Sequence, residues 1–278
     1  MAVKVVTNSS ADIPQEIVEE LGITVAPEYL IFGTKAYKDR IDISEDEFYN
    51  KLVHGKIQPT TSNPNPQDFL DIYNELGKTA DGIVSIHIST RLSGTVNSAN
   101  QAKKLTSAKC PIEIIDSKLV AMALGLVVIS AARMAKAGRS FQEVADASHA
   151  MISRIHLLAL FDTLEYLARG GRIGKAKSLV GAMLNVKPLL TLKDGEFVPV
   201  SQVRNKAKGQ EKLLEFIAPF KDVEELCVIY SGQKEEAAAL ADRIEGYPRE
   251  RIMLCRLGPV VGAHAGPGLL AVGAMTKS

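Results

Sequence analysis

Apolar and polar positions along the first half of the chain fall into blocks that read as strand, polar turn, helix. Val3–Val6 is a short apolar strand, followed by the turn Asn8-Ser9-Ser10-Ala11-Asp12. A helix then starts near Pro14, where the fixed φ of proline suits a first turn. Thr24–Phe32 predicts one strand that turns at Gly33-Thr34, and Ser44-Glu45-Asp46-Glu47 predicts a capping box opening a helix to about Val53. Prolines and hydroxyls over Pro59–Pro66 interrupt the pattern before an amphipathic helix, Gln67–Leu76. Gly82–Ile88 and Ile112–Ile115 are continuous apolar runs of the kind buried in a parallel sheet. The first leads through Ser93-Gly94-Thr95 into a helix ending at Leu105. The second leads to Asp116-Ser117, expected to cap the long apolar helix Leu119–Met134. Repeated this way, the blocks predict a parallel sheet whose functional edge lies at the C-terminal ends of its strands.

The pattern changes beyond Ser140, which with Glu143 forms a second capping box for a helix over Phe141–Ser153. Strand Ile155–Phe161, two helices and strand Val186–Leu192 come next. Asp194-Gly195 then joins alternating runs as a hairpin to Phe197–Val203. Helix Lys206–Phe220, strand Leu226–Tyr230, helix Lys234–Ile244, strand Ile252–Cys255 and strand Leu269–Met275 complete the order, which implies a mixed sheet. The expected fold class is α/β with two domains. Residues 1–153 would form an N-terminal parallel sheet sandwiched by helices, and residues 154–278 a C-terminal mixed sheet with helices.

Bulk properties narrow the function. A chain of 278 residues is comfortable for two α/β domains. Its 33 Lys and Arg against 32 Asp and Glu leave a net charge of +1, which argues against nucleic acid as the main partner. Cys110, Cys227 and Cys255 are odd in number and set in apolar contexts, as fits buried thiols in a reducing cytoplasm. Met1–Thr7 reads as a strand rather than a signal peptide, and Leu119–Met134 is too short and interrupted to span a bilayer. A cytoplasmic protein with no transmembrane segment is the expectation.

Two glycine-rich segments carry candidate chemistry. Gly258–Gly268 sets His264 among four glycines and two prolines, predicting an imidazole held on a defined turn. Thr163–Lys175 runs from a short helix into a glycine turn bearing Arg169 and Arg172. It is not a nucleotide phosphate loop: Arg169 stands where the first glycine is needed, and Ala176 where the hydroxyl is needed. Hydroxyls gather at Asn8-Ser9-Ser10, Thr60-Thr61-Ser62 and Ser93-Gly94-Thr95, and none of these turns offers a buried acid pair. Ser93 stands where a helix begins, so it either binds an anion at the positive end of the helix dipole or simply caps the helix. A Ser93-His264-Asp116 hydrolase triad is conceivable, although the nucleophile-elbow pattern is absent. The histidines have no paired ligand spacing, so no metal is expected.

In order, the segments Thr7–Ile13, Thr61-Ser62, Leu92–Thr95, Ile115–Lys118, Thr163–Gly174, Lys187–Leu190 and Gly258–Gly268 resemble the DegV family nearly end to end. The chain departs from the family pattern at Asn8, Asn63, Asn65, Val96 and Val203–Lys206. The resemblance implies a two-domain α/β protein that buries one long-chain fatty acid between its domains and needs no cofactor. It further implies a role as the fatty-acid-binding subunit of bacterial fatty acid kinase, a carrier rather than an enzyme. The partner would be an ATP-binding subunit related to dihydroxyacetone kinase, and the acyl phosphate would feed phospholipid synthesis. On this likeness Thr61, Ser62, Ser93 and Gly94 surround the carboxylate with His264 beside it, and Arg172 orients the head-group loops. Arg204 is a candidate contact for phosphate or kinase. Leu119–Met134 and Leu157–Phe161 are candidate tunnel walls. The alternatives are a stand-alone hydrolase or a ligand-binding regulator acting on a small acyl compound.

Overall fold

A computed structural model describes residues 2–179 and 186–277. In chain order the strands are β1 (Ala2–Asn8), β2 (Thr24–Ala26), β3 (Tyr29–Phe32), β4 (Lys35–Lys38), β5 (Thr60–Ser62), β6 (Ala80–His87), β7 (Ile112–Asp116), β8 (Ile155–Leu160), β9 (Lys187–Lys193), β10 (Glu196–Val203), β11 (Val223–Tyr230), β12 (Ile252–Arg256) and β13 (Leu270–Thr276). The helices are α1 (Gln15–Leu21), α2 (Glu45–His54), α3 (Pro66–Leu76), α4 (Thr95–Leu105), α5 (Ala121–Lys136), α6 (Phe141–Ile152), α7 (Glu165–Arg169), α8 (Lys206–Ile217), α9 (Lys234–Ala241) and α10 (Pro259–Ala265).

The fold is α/β, with a parallel sheet ordered β2-β1-β6-β7 and a mixed sheet ordered β10-β9-β8-β13-β11-β12. In the mixed sheet only β11 and β12 run parallel; the other neighbours are antiparallel. α5 is apolar almost all round, and such a helix has to be buried. It packs on β1 and also reaches β8, β11 and β13, so one core joins both sheets. A second core lies under α3 and α4 on the far side of the parallel sheet, and a third under α8 and α9 on the far side of the mixed sheet.

Several sequence expectations are corrected. Thr24–Phe32 is two strands, because Pro27-Glu28 breaks the run: β2 joins the parallel sheet while β3 pairs with β4 and β5 in a small antiparallel sheet that the periodicity did not reveal. Only half of the first capping box forms, with Ser44 Oγ accepting from the Glu47 amide; the second, at Ser140 and Glu143, forms completely. Asp116 and Ser117 do not cap α5, whose N-cap is Val120 without a side-chain bond. They fold the approach instead, with Asp116 accepting from the Lys118 amide and Ser117 from the Leu119 amide. Of the two helices expected before β9, α7 is present and Gly174–Leu179 is a 3-10 turn; residues 180–185 lie outside the described residues.

Candidate functional site

The region around His264 begins with three residues tied down from the N-terminal half. Arg40 donates to the carbonyls of Ile13 and Arg256 and to Asp12, while Asp12 Oδ1 also accepts from the Gly258 amide at 2.9 Å. Tyr49 donates to the Leu257 carbonyl, and Arg256 pairs with Asp46. So anchored, the chain does not form the expected glycine turn but starts α10, with Gly258 as N-cap and Pro259 at its first position. His264 therefore stands on the last turn of a short helix. Gly266 ends that helix at φ 76°, ψ 175°, with Tyr166 occupying the space a side chain would need.

The imidazole meets a hydroxyl from the small sheet. Leu30 of β3 pairs with Thr61 of β5, and Thr61 Oγ1 lies 2.7 Å from His264 Nε2. Among the described residues His264 Nδ1 has no hydrogen-bond partner, and Gly170 lies directly on that edge of the ring, where any Cβ would collide. A buried orphan N–H costs more than a bare lone pair with weak needs, so the proton is assigned to Nε2, donating to Thr61. Burial, and then the nearby Arg172, hold the His264 pKa down to about 4, so the ring is neutral at physiological pH. The Thr61 hydroxyl proton is thereby free to point elsewhere.

Thr61, Ser62, Ser93, Arg172 and His264 line one cavity. Arg172 spans the two halves, donating to the Leu92 and Gly170 carbonyls. Ser93 precedes the N-cap of α4, which is Gly94, and its Oγ lies 2.9 Å from Thr95 Oγ1. Gly94 is not a wall residue; it lies against Asn63, which donates to Ser98 and does line the cavity. Arg204 is exposed at the end of β10 and outside the cavity. Apart from Ser10 and Glu28, the remaining wall is apolar. Val120 and Ala121 come from the start of α5, Leu157 and Ala159 from β8 with Phe161 just beyond, and Ile229 and Ala271 from the mixed sheet. Lys118 and Ala121 adopt φ of 56° and 54°, a left-handed strain that delivers Val120 and Ala121 to the wall. The empty space in and in front of the cavity, open solvent at its mouth included, is about 860 Å³.

The hydrolase triad is not assembled. His264 addresses Thr61 rather than Ser93, and Asp116 accepts from Thr90 and Lys118. The Asn8-Ser9-Ser10 turn contains no acid itself, but three acids outside it pack against it. Asp12, Glu28 and Asp39 are all buried, and burial raises their pKa values to about 8, 7 and 6 respectively. Glu28 and Ser10 also belong to the cavity wall. Their sequence signal was slight: Glu28 and Asp39 lie beside strand ends, and Asp12 ends the 3-10 turn Ser9–Ala11. Among the described residues no cluster could hold a metal ion, and no helix is long and apolar enough to cross a membrane.

A family model described as an uncharacterised protein of the DegV family matches residues 2–277. A DegV domain-containing protein of Streptomyces coelicolor is 37% identical over 280 residues, covering 97% of each chain. The solved structure of a fatty-acid-binding DegV family protein from Thermus thermophilus superposes with a TM-score of 0.93 at 32% identity, covering 100% of both chains. A stearic-acid-binding protein from Eubacterium ventriosum superposes with a TM-score of 0.89 at 28% identity, covering 99% of this chain and 98% of its own.

Proposed function

This chain belongs to the DegV family, and from its cavity we propose that it binds one long-chain fatty acid between two domains, residues 1–153 and 154–278. It then presents the carboxylate to a separate ATP-dependent kinase subunit in the cytoplasm. The observation that carries this reading is a cavity apolar along most of its length with Thr61, Ser93, Arg172 and His264 grouped in its wall. Each buried methylene contributes about 0.8 kcal/mol, so a sixteen-carbon tail gains roughly 10 kcal/mol gross, of which association costs remove a substantial part. The hydroxyls of Thr61 and Ser93 donate to the carboxylate. His264, as a neutral donor, orients Thr61 rather than supplying charge. Arg172 is the cation of the group, and its bonds to the Leu92 and Gly170 carbonyls fix it between the two halves of the chain.

A carboxylate is already ionised at neutral pH and needs no base to attack phosphorus; it needs placement and nearby positive charge. The chain is therefore a carrier that works with a dihydroxyacetone-kinase-like subunit in trans, requires no cofactor of its own, and supplies acyl phosphate to phospholipid synthesis. Arg204, exposed beyond β10, is available to a docked partner. The test is a fluorescent fatty acid titration beside a coupled kinase assay on the same protein. Saturable binding with acyl-phosphate formation only in the presence of kinase and ATP is expected. ATP turnover by the pure chain would favour a self-sufficient enzyme, and binding without any kinase-dependent turnover would favour a ligand-binding regulator.

A further inference from the structure

Among the described residues Glu28 is the one carboxyl in the cavity wall, and nothing in the head-group arrangement above uses it. It lies one residue ahead of the β3–β5 ladder, in which Leu30 is directly opposite Thr61. Opposite residues share a face of a sheet, as do residues two apart on a strand, so Glu28, Leu30 and Thr61 point the same way. A long side chain at Glu28 can therefore reach the hydroxyl end of the cavity. Its two oxygens are unequally served. Among the described residues, the hydrogen bonds it accepts, from Asn8 Nδ2 at 3.1 Å and the Ser10 amide at 3.0 Å, both fall on Oε2. Two donors on one oxygen suit a carboxylic acid whose carbonyl is Oε2 and whose hydroxyl is Oε1.

We propose that Glu28 Oε1 carries a proton and donates it in a hydrogen bond to the carboxylate of the bound fatty acid, so that two carboxyl groups share one proton and binding takes that proton from solvent. This rests on the fatty-acid-binding reading. The balance is simple: one proton moves from water or buffer to Glu28, and no other bond changes. Two carboxylates side by side cannot both stay ionised at low cost, so the ligand's arrival raises the proton affinity of Glu28 further. The unliganded group is already raised to about 7, chiefly by burial.

The charged and titratable neighbours are accounted for. Asp39, following β4, opposes ionisation of Glu28, while the turn after β1 supplies Ser10 as a donor. His87 on β6 stands behind Asn8, with Nδ1 3.2 Å from Asn8 Oδ1, and burial holds it neutral with a pKa of about 3. From the cavity side come neutral His264 and cationic Arg172. Asp12 titrates near 8 but is not part of the wall, and Glu28→Gln leaves it in place.

The experiment is calorimetry of the whole protein with oleate delivered from cyclodextrin at pH 8, in two buffers of different ionisation enthalpy. Binding is expected to take up on the order of one proton in the natural protein and almost none in Glu28→Gln. Between pH 7 and 9 the Kd of the natural protein rises by up to about tenfold per unit, while that of Glu28→Gln stays flat. Oleate binding with no proton uptake overturns this inference alone, as does uptake that survives in Glu28→Gln. Absence of oleate binding at any pH overturns it together with the carrier reading. The proton count of the unsubstituted protein stands even if the variant misfolds.

Discussion

A threonine hydroxyl and a neutral imidazole 2.7 Å apart form the centre of the proposed head-group arrangement. Because burial keeps His264 uncharged down to about pH 4, its imidazole nitrogen resonances are expected not to titrate between pH 5 and 8, with the proton on Nε2 throughout. An NMR titration that finds a transition near the ordinary 6.5 would contradict this assignment. Hydrogen bonds to charged groups are worth about 1.5–3 kcal/mol, so Thr61→Val and Ser93→Ala should each weaken fatty acid affinity by roughly 10- to 100-fold without abolishing it. In the proposed reaction with a kinase subunit, phosphorylation should fall further, because a carboxylate free to swing loses its attack geometry. Unchanged affinity and turnover in both variants would place the carboxylate elsewhere in the cavity.

Short elements position these groups, and they mark where the pattern of the chain was and was not legible. The long apolar runs of β6 and β8, the largely apolar α5 and the Asp194-Gly195 hairpin could be read because burial on both sides, or a turn needing positive φ, leaves a direct mark on residue choice. The small sheet of β3, β4 and β5 left almost none. Its strands are three or four residues long, too short to establish a period, and Thr60–Ser62 is recruited by pairing with Tyr29–Ile31. The glycines around His264 signalled a special backbone correctly, but a seven-residue helix sits between them. Gly266→Ala tests that backbone directly. Its φ, ψ region is close to glycine-only, so about 1–3 kcal/mol of strain is expected, in addition to the collision with Tyr166. Denaturant melts that match the natural protein would refute the strain. At Gly170 the backbone is ordinary, so Gly170→Ala should act mainly by displacing the imidazole, lowering ligand affinity more than stability.

Across the whole molecule, the two sheets share α5 and one continuous core, and polar ties at Arg256–Gly258 fasten the start of α10 to the N-terminal half. None of these ties could be inferred from spacing, since Arg40 and Arg256 are 216 positions apart. The same buried groups give stability a pH dependence. Asp12, Glu28 and Asp39 have folded pKa values of about 8, 7 and 6 against roughly 4 when unfolded, so the folded state holds extra protons. Their contribution is complete below about pH 4 and is lost as pH rises through the folded values. His87 and His264 run the other way, with folded values depressed to about 3 and 4. Their stabilising neutrality is present above the unfolded 6.5 and lost as pH falls, leaving the interval above 7 to the carboxyls. Tm should therefore fall between pH 7 and 8, with a shallower fall in Asp12→Asn; a flat or rising profile would contradict the buried protons. The central claim, that the shared core encloses a fatty acid, is tested most directly by extracting the purified protein with organic solvent and analysing the extract by mass spectrometry. On the order of one long-chain fatty acid per chain is expected, or stoichiometric uptake when one is added. Repeated extracts without stoichiometric lipid, from protein that also fails to take up added fatty acid, would contradict it.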